Sequence, residues 1–143
     1  MNRIPINKEI IIKRISIIED CLQKLERFKN LSFEEFLSGE NFAISEHYLR
    51  RALEAEFDIG NHILSKIPGV RVTTYKEIAI ELGKQKILPK DFVENKLIKM
   101  AGYRNRLIHF YSEITEDELY RIIKDELNDF KKFLKYIKPL LKI

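Results

Sequence analysis

Cysteine is nearly missing from this chain: Cys21 is the only one in 143 residues. No intrachain disulfide is possible and no thiol cluster can hold zinc, so a reducing cytoplasm is the expected setting. Long apolar runs are missing too. The stretch MNRIPINKEIIIKRISIIEDC is rich in isoleucine, but Lys13, Arg14, Glu19 and Asp20 interrupt it. Nothing approaches the roughly 20 consecutive apolar residues a bilayer-spanning helix needs, so no membrane association is expected. Nor does that stretch carry the longer uncharged core and small cleavage-site residues of a secretory leader. β-Hairpin signals, internal repeats, low-complexity tracts and interdomain linkers are also lacking. Val70-Arg71-Val72-Thr73 reads as extended, yet one short segment cannot make a sheet.

What is present is the balance of an ordered helical protein, 45% apolar and 34% charged. The length suits one domain, residues 1–143, around a single buried core. The net charge is +4. Between residues 84 and 106, Lys84, Lys86, Lys90, Lys96, Lys99, Arg104 and Arg106 outnumber Asp91 and Glu94. KKFLKYIKPLLK near the C-terminus is basic as well. Such bias attracts phosphate chains, although a solvated lysine-rich face is the commoner cause of a charge run.

The apolar periodicity is helical almost throughout. Ile11, Ile15, Ile18, Leu22, Leu25 and Phe28 step by three or four and draw one stripe, which ends near Lys29-Asn30. Ser32 with Glu35 forms a capping box for a short helix that Gly39 stops. A long helix runs from about Asn41 to about Lys66, and Pro68-Gly69 breaks the chain. Thr74 with Glu77 opens the next helix, and Pro89 suits the first turn of the one after it. Thr115 with Glu118 reads as a third box launching a final helix that Pro139 ends or kinks. The predicted fold is all-α, an antiparallel bundle of four long helices with one or two short ones.

One stretch is chemically richer than this patterning demands: YRNRLIHFYSE, residues 103–113. On a helix Arg104 and Tyr111 share a face, whereas His109 points about 140° away from Arg104. Imidazole and guanidinium meet only if the helix loosens near His109 or a second protomer brings its own copy alongside. Such a pair can cleave RNA without metal. Histidine exchanges protons near neutrality, and arginine forks onto phosphate oxygens as charge builds in the transition state. The 2′-hydroxyl supplies the nucleophile. A metal-dependent nuclease would need convergent carboxylates or histidines, and no such array is visible, so no metal and no cofactor is expected. The plainer reading is a surface pair favouring the helix dipole.

A second polar stripe, His47, Arg51, Asp58 and His62, lies along one face of the long helix. Asp58 is placed to orient a histidine or to hold Arg104 across the bundle. Asp58 and His62 also fit a routine pair one turn apart.

RNRLIHFY carries an R-x4-H-x-Y signature and resembles the HepT-like family of the HEPN superfamily. The resemblance extends through YLRRALEAEFDIGNHILSK, PGVRVTTYKEIAIELGKQKIL and KLIKMAGYRNRLIHFYSEIT, from about Tyr48 to the C-terminus. It implies a helical homodimer with the signature lining a cleft between protomers. It also implies a ribonuclease toxin whose active pair is Arg104 and His109, with Asn105 supporting the turn or the substrate. The implied partner is a separate MntA-like nucleotidyltransferase antitoxin that transfers AMP to Tyr111. This chain lacks the G-S-rich loop and paired aspartates of such a transferase. The alternative implied by the same resemblance is a non-catalytic module that binds a nucleotidyltransferase or a nucleotide.

Overall fold

A computed structural model describes residues 4–108 and 114–142. The architecture is all-α. Helix α1 (Lys8–Glu26) runs into a 3-10 turn, Arg27–Asn30, and a one-turn helix α2 (Phe33–Phe36) follows. The long helix α3 is Asn41–Ser65 and α4 is Tyr75–Lys84. Helix α5 (Lys90–Phe92), a π-helical turn (Val93–Leu97) and α6 (Ile98–Ile108) form one continuous run. The chain continues with α7 (Glu116–Asp125), α8 (Asn128–Ile137) and a 3-10 turn, Lys138–Leu141. No helix among the described residues is long and apolar enough to cross a membrane.

Helix α1 buries the stripe read from its spacing, with Ile11, Ile15, Ile18, Leu22 and Leu25 all inside. Its start is fixed twice by Asn7. The Asn7 side chain accepts from the Ile10 amide, and the Asn7 amide donates to His62 Nε2 of α3 at 2.9 Å. An ion pair from Arg14 to Asp58 (3.2 Å) adds a second link to α3. At the far end Lys131 reaches Glu26 and Lys138 reaches Glu19, tying α8 to α1.

Two predicted capping boxes are complete, Ser32/Glu35 and Thr74/Glu77. Gly39 adopts φ +60° after α2, in the left-handed region where a side chain is strained. The third box is only half there. Thr115 Oγ1 accepts from the Glu118 amide, but the Glu118 carboxylate turns to Arg106 instead of closing back on the cap. An arginine fork is the stronger partner for a carboxylate than one backbone amide.

The predicted final helix is two helices. Glu126 leaves helical geometry (φ −120°, ψ 0°), and the backbone there tightens: Asp129 donates to Glu126 and Phe130 to Leu127. The apolar stripe Leu119, Ile122, Ile123, Phe130, Phe133, Leu134, Ile137 is buried on both sides of the break. Pro139 falls in the 3-10 turn that follows α8. The helix expected from Pro89 also departs from regularity, because its first part contains the π turn, where the Ile98 amide bonds the carbonyl of Val93.

Close packing of α3 against α4 depends on Gly60. A Cβ there would sit 2.9 Å from Ile78 Cγ2 and 3.0 Å from Leu82 Cδ1, too near for either to stay in place. The missing side chain lets the first turn of α4 settle onto α3.

Candidate active site

Arg104 and Asn105 lie in α6, both half-buried. His109 and Tyr111 lie outside the described residues. The guanidinium carbon of Arg104 stands 3.7 Å from the centroid of the Tyr75 ring, a close cation–π stack. Arg104 Nε is buried and has no hydrogen-bond acceptor among the described residues.

Tyr75 is the first residue of α4, and its position is overdetermined. Thr74 Oγ1 accepts from the Glu77 amide, while Glu77 Oε1 accepts from the Thr73 and Thr74 amides and from the Thr73 hydroxyl. These bonds hold the Glu77 carboxyl below the usual carboxylate range. Behind the ring, buried Phe57 of α3 meets it edge to face, with centroids 5.6 Å apart and planes at 79°. Tyr75 is thus clamped by its helix start, by Phe57 and by the close approach at Gly60.

A cavity of about 220 Å³ opens beside this ring, lined by Phe57, Asp58, Asn61, Thr73, Thr74 and Tyr75 among others. Asp58 therefore borders the surroundings of Arg104, but its ion pair is with Arg14. His62 accepts from the Asn7 amide, and burial, with Lys66 nearby, pushes its imidazole below the usual range. A neutral ring is what that acceptor role requires. The structure thus brings Arg104 and Asn105 onto one helix and places Asp58 and His62 on α3 facing α1.

Most of the basic stretch is internally paired. Lys90 faces Glu94, Lys96 reaches Asp129 at 3.8 Å, and Lys99 reaches Glu126 at 3.1 Å. Arg106 forks onto Glu118 through two bonds of 2.6 and 2.7 Å. Burial pushes the Glu126 carboxyl up, but Lys99, the Tyr103 hydroxyl (2.9 Å) and Arg121 outweigh it and hold it below the usual range. The bundle interior holds a different pair. Glu56 is fully buried with both oxygens unpartnered among the described residues, and burial, with Asp129 beside it, raises its pKa well above the ordinary value. Burial without a partner favours the neutral carboxyl. Among the described residues no three of histidine, cysteine, aspartate and glutamate are grouped to hold a metal ion.

Tyr75 was not foreseen from sequence. It follows a capping threonine and reads there as an ordinary first-turn aromatic, and no periodicity connects it to Arg104.

Comparison with known proteins fits this geometry. A tRNA nuclease HepT of Aphanizomenon flos-aquae is 33% identical over 92% of this chain and 90% of its own length. An mRNA nuclease HepT of Shewanella oneidensis is 27% identical over 91% of this chain and 97% of its own. A solved structure of a tri-AMPylated Shewanella oneidensis HEPN toxin in complex with MNT antitoxin superposes with a TM-score of 0.81 at 26% identity. That match covers 97% of this chain and 99% of the toxin. The family described as Ribonuclease HepT-like matches residues 18–137, nearly the whole of the helical bundle, and this chain belongs to it.

Proposed function

We propose that this protein is a metal-independent endoribonuclease toxin, with Arg104 and His109 as its catalytic residues at a cleft between two protomers. In this reading the 2′-oxygen of a ribose attacks the adjacent phosphorus, and the bond to the 5′-oxygen breaks. One end is left as a cyclic phosphate and the other as a 5′-hydroxyl. His109 takes the 2′-proton or returns one to the departing oxygen. Arg104 holds the phosphate oxygens as their charge grows. Asn105, next to Arg104 on α6, supports the turn or the substrate. The observation that carries the reading is Arg104 itself, a guanidinium held against Tyr75 with no carboxylate paired to it among the described residues.

The relatives support the same assignment by their own activities, which are named for tRNA and mRNA. The AMPylated toxin held by an MNT antitoxin supports a second element of it. A nucleotidyltransferase antitoxin silences this chain by adenylylating Tyr111, adding bulk and negative charge beside the groups that receive an RNA phosphate.

The test is cleavage of cellular RNA by purified protein in excess chelator. The parent cuts, while Arg104→Ala and His109→Ala cut far more slowly. Uncut RNA with the parent, or equal cutting by either variant, removes the proposal. Incubation with the antitoxin and ATP adds one or more adenylyl groups that Tyr111→Phe abolishes, read by mass spectrometry. One observation favours a non-catalytic docking module instead: Lys96, Lys99 and Arg106 are all occupied by carboxylates, which leaves less positive surface for RNA. That module predicts stable co-purification with the transferase and no cleavage.

A further inference from the structure

Arginine side chains are usually held in place by carboxylates, and α6 shows the usual arrangement two residues past Arg104. Arg106 is forked onto Glu118, which fixes its direction but cancels its charge. Arg104 is held another way. Its guanidinium carbon sits 3.7 Å from the centre of the Tyr75 ring, and the ring restrains the group without contributing a counter-charge. Nε is buried with no acceptor among the described residues, which leaves the binding of a ligand to the two Nη groups. The ring in turn is backed by Phe57 and by the Thr74 capping box. The adjoining cavity offers less, because most of its polar lining is engaged: Asp58 with Arg14, and Thr73 and Thr74 with Glu77, which leaves Asn61.

We infer that Tyr75 is a positioning residue for Arg104, a ring that presets the guanidinium plane so that its Nη edge meets the scissile phosphate with full charge. This rests on the catalytic role proposed for Arg104. An unrestrained arginine loses rotamer freedom when it is fixed. Meeting that cost before substrate arrives lowers the barrier to the chemical step more than it tightens binding.

The test uses the full chain and an oligoribonucleotide that the parent cleaves. Tyr75→Leu keeps the apolar volume and removes the π face. It is expected to lower kcat about tenfold, the upper part of what a cation–π contact supplies, with KM nearly unchanged. Tyr75→Phe restores the parent rate, because the ring and not the hydroxyl does the holding. In an Arg104→Ala background Tyr75→Leu has no further effect. Undiminished kcat in Tyr75→Leu, failure of Tyr75→Phe to rescue, or a full additional loss in the Arg104→Ala background each overturns the inference. If Arg104→Ala itself cleaves like the parent, the catalytic reading fails instead, so the two failures are separable.

A second measurement needs no activity and no folded Tyr75→Leu. In the parent, the Arg104 Nε–H, assigned by its loss in Arg104→Lys, is expected to exchange slowly with solvent and to be shifted upfield by the ring. Tyr75→Phe retains both features. A fast-exchanging, unshifted Nε–H in the parent overturns the inference whatever the variants do.

Discussion

Helix α6 is finished differently on its two sides. Toward α7 and α8 the charges are largely answered: Tyr103, Lys99 and Arg121 converge on Glu126, Arg106 forks onto Glu118, and only Asp129 Oδ2 is left without a partner among the described residues. Toward α4 there is one guanidinium, one aromatic face and an Nε with no acceptor among the described residues. Tyr103 and Arg104 are consecutive residues, yet one belongs to a saturated network and the other to an open one. A saturated network stabilises the fold, and nothing in it is left over to act on a ligand. An open one gives up some stability and retains charge. Glu56 marks the boundary of that lesson. It too lacks partners among the described residues, but it is fully buried and out of reach, so an unsatisfied group is available for chemistry only where solvent or substrate can arrive.

The sharpest way to break this contrast is to treat the two arginines alike. Arg104→Ala is expected to lower RNA cleavage by on the order of 100- to 1,000-fold, the range for losing one preorganised donor to a developing oxyanion, while the thermal midpoint barely moves. Arg106→Ala is expected to do the reverse. It lowers stability by about 1–2 kcal/mol, the value of charged hydrogen bonds discounted for partial exposure, and keeps the activity of the folded fraction. Cleavage assays beside urea melts decide it, and a common response from both variants would erase the distinction.

Next comes the saturated side alone. Glu126→Ala strips partners from Tyr103, Lys99 and Arg121 together and is expected to cost about 2 kcal/mol, the lower range for hydrogen bonds to a charged group. The folded carboxyl titrates below its unfolded value. Its contribution is therefore present above the ordinary carboxylate range and is lost as pH falls through the folded value. The deficit of Glu126→Ala should narrow on acidification, as read by urea melts at descending pH.

Glu56 gives the smallest effect and the opposite sign. Its folded pKa lies above the unfolded one, so its contribution is full at acid pH and declines as pH rises toward the folded value. The parent should lose up to about 1.4 kcal/mol per pH unit from this group in that window. Glu56→Gln, which never ionises, should show a flatter profile and gain on the parent toward alkaline pH. A parallel pair of profiles would mean that Glu56 is ionised in the folded protein.

How far the fold was legible in sequence follows from how local each cause is. The stripe from Ile11, the Ser32 and Thr74 boxes and the Gly39 stop depend on residues within one or two turns and formed as read, except that Phe28, the last of the stripe, falls half-buried in the 3-10 turn after α1. The break at Glu126 was hidden because the apolar spacing continues across it. What ends α7 is a carboxylate drawn to groups on α6, a cause not visible in the residues beside it. Glu118 likewise scored as a capping residue until Arg106, twelve positions away, outcompeted the backbone for it. Of the candidate site, the helical placement of Arg104 and Asn105 was legible from the spacing, and their roles, like those of His109 and Tyr111, remain sequence readings. Tyr75 was not legible at all, since its meeting with Arg104 is produced by the packing of α3, α4 and α6.

The wide turn at Val93–Leu97 has a consequence for what this helix can tolerate. Because the Ile98 amide skips back to Val93, that turn holds one residue more than its neighbours. The surplus is absorbed locally, so the segments before and after it keep their faces. Deleting one residue from 94–96 should therefore leave a plain helix with Arg104 still over Tyr75. The same deletion made between residues 99 and 102 has no slack to draw on, and it would swing the guanidinium by about 100° around the axis, off the ring.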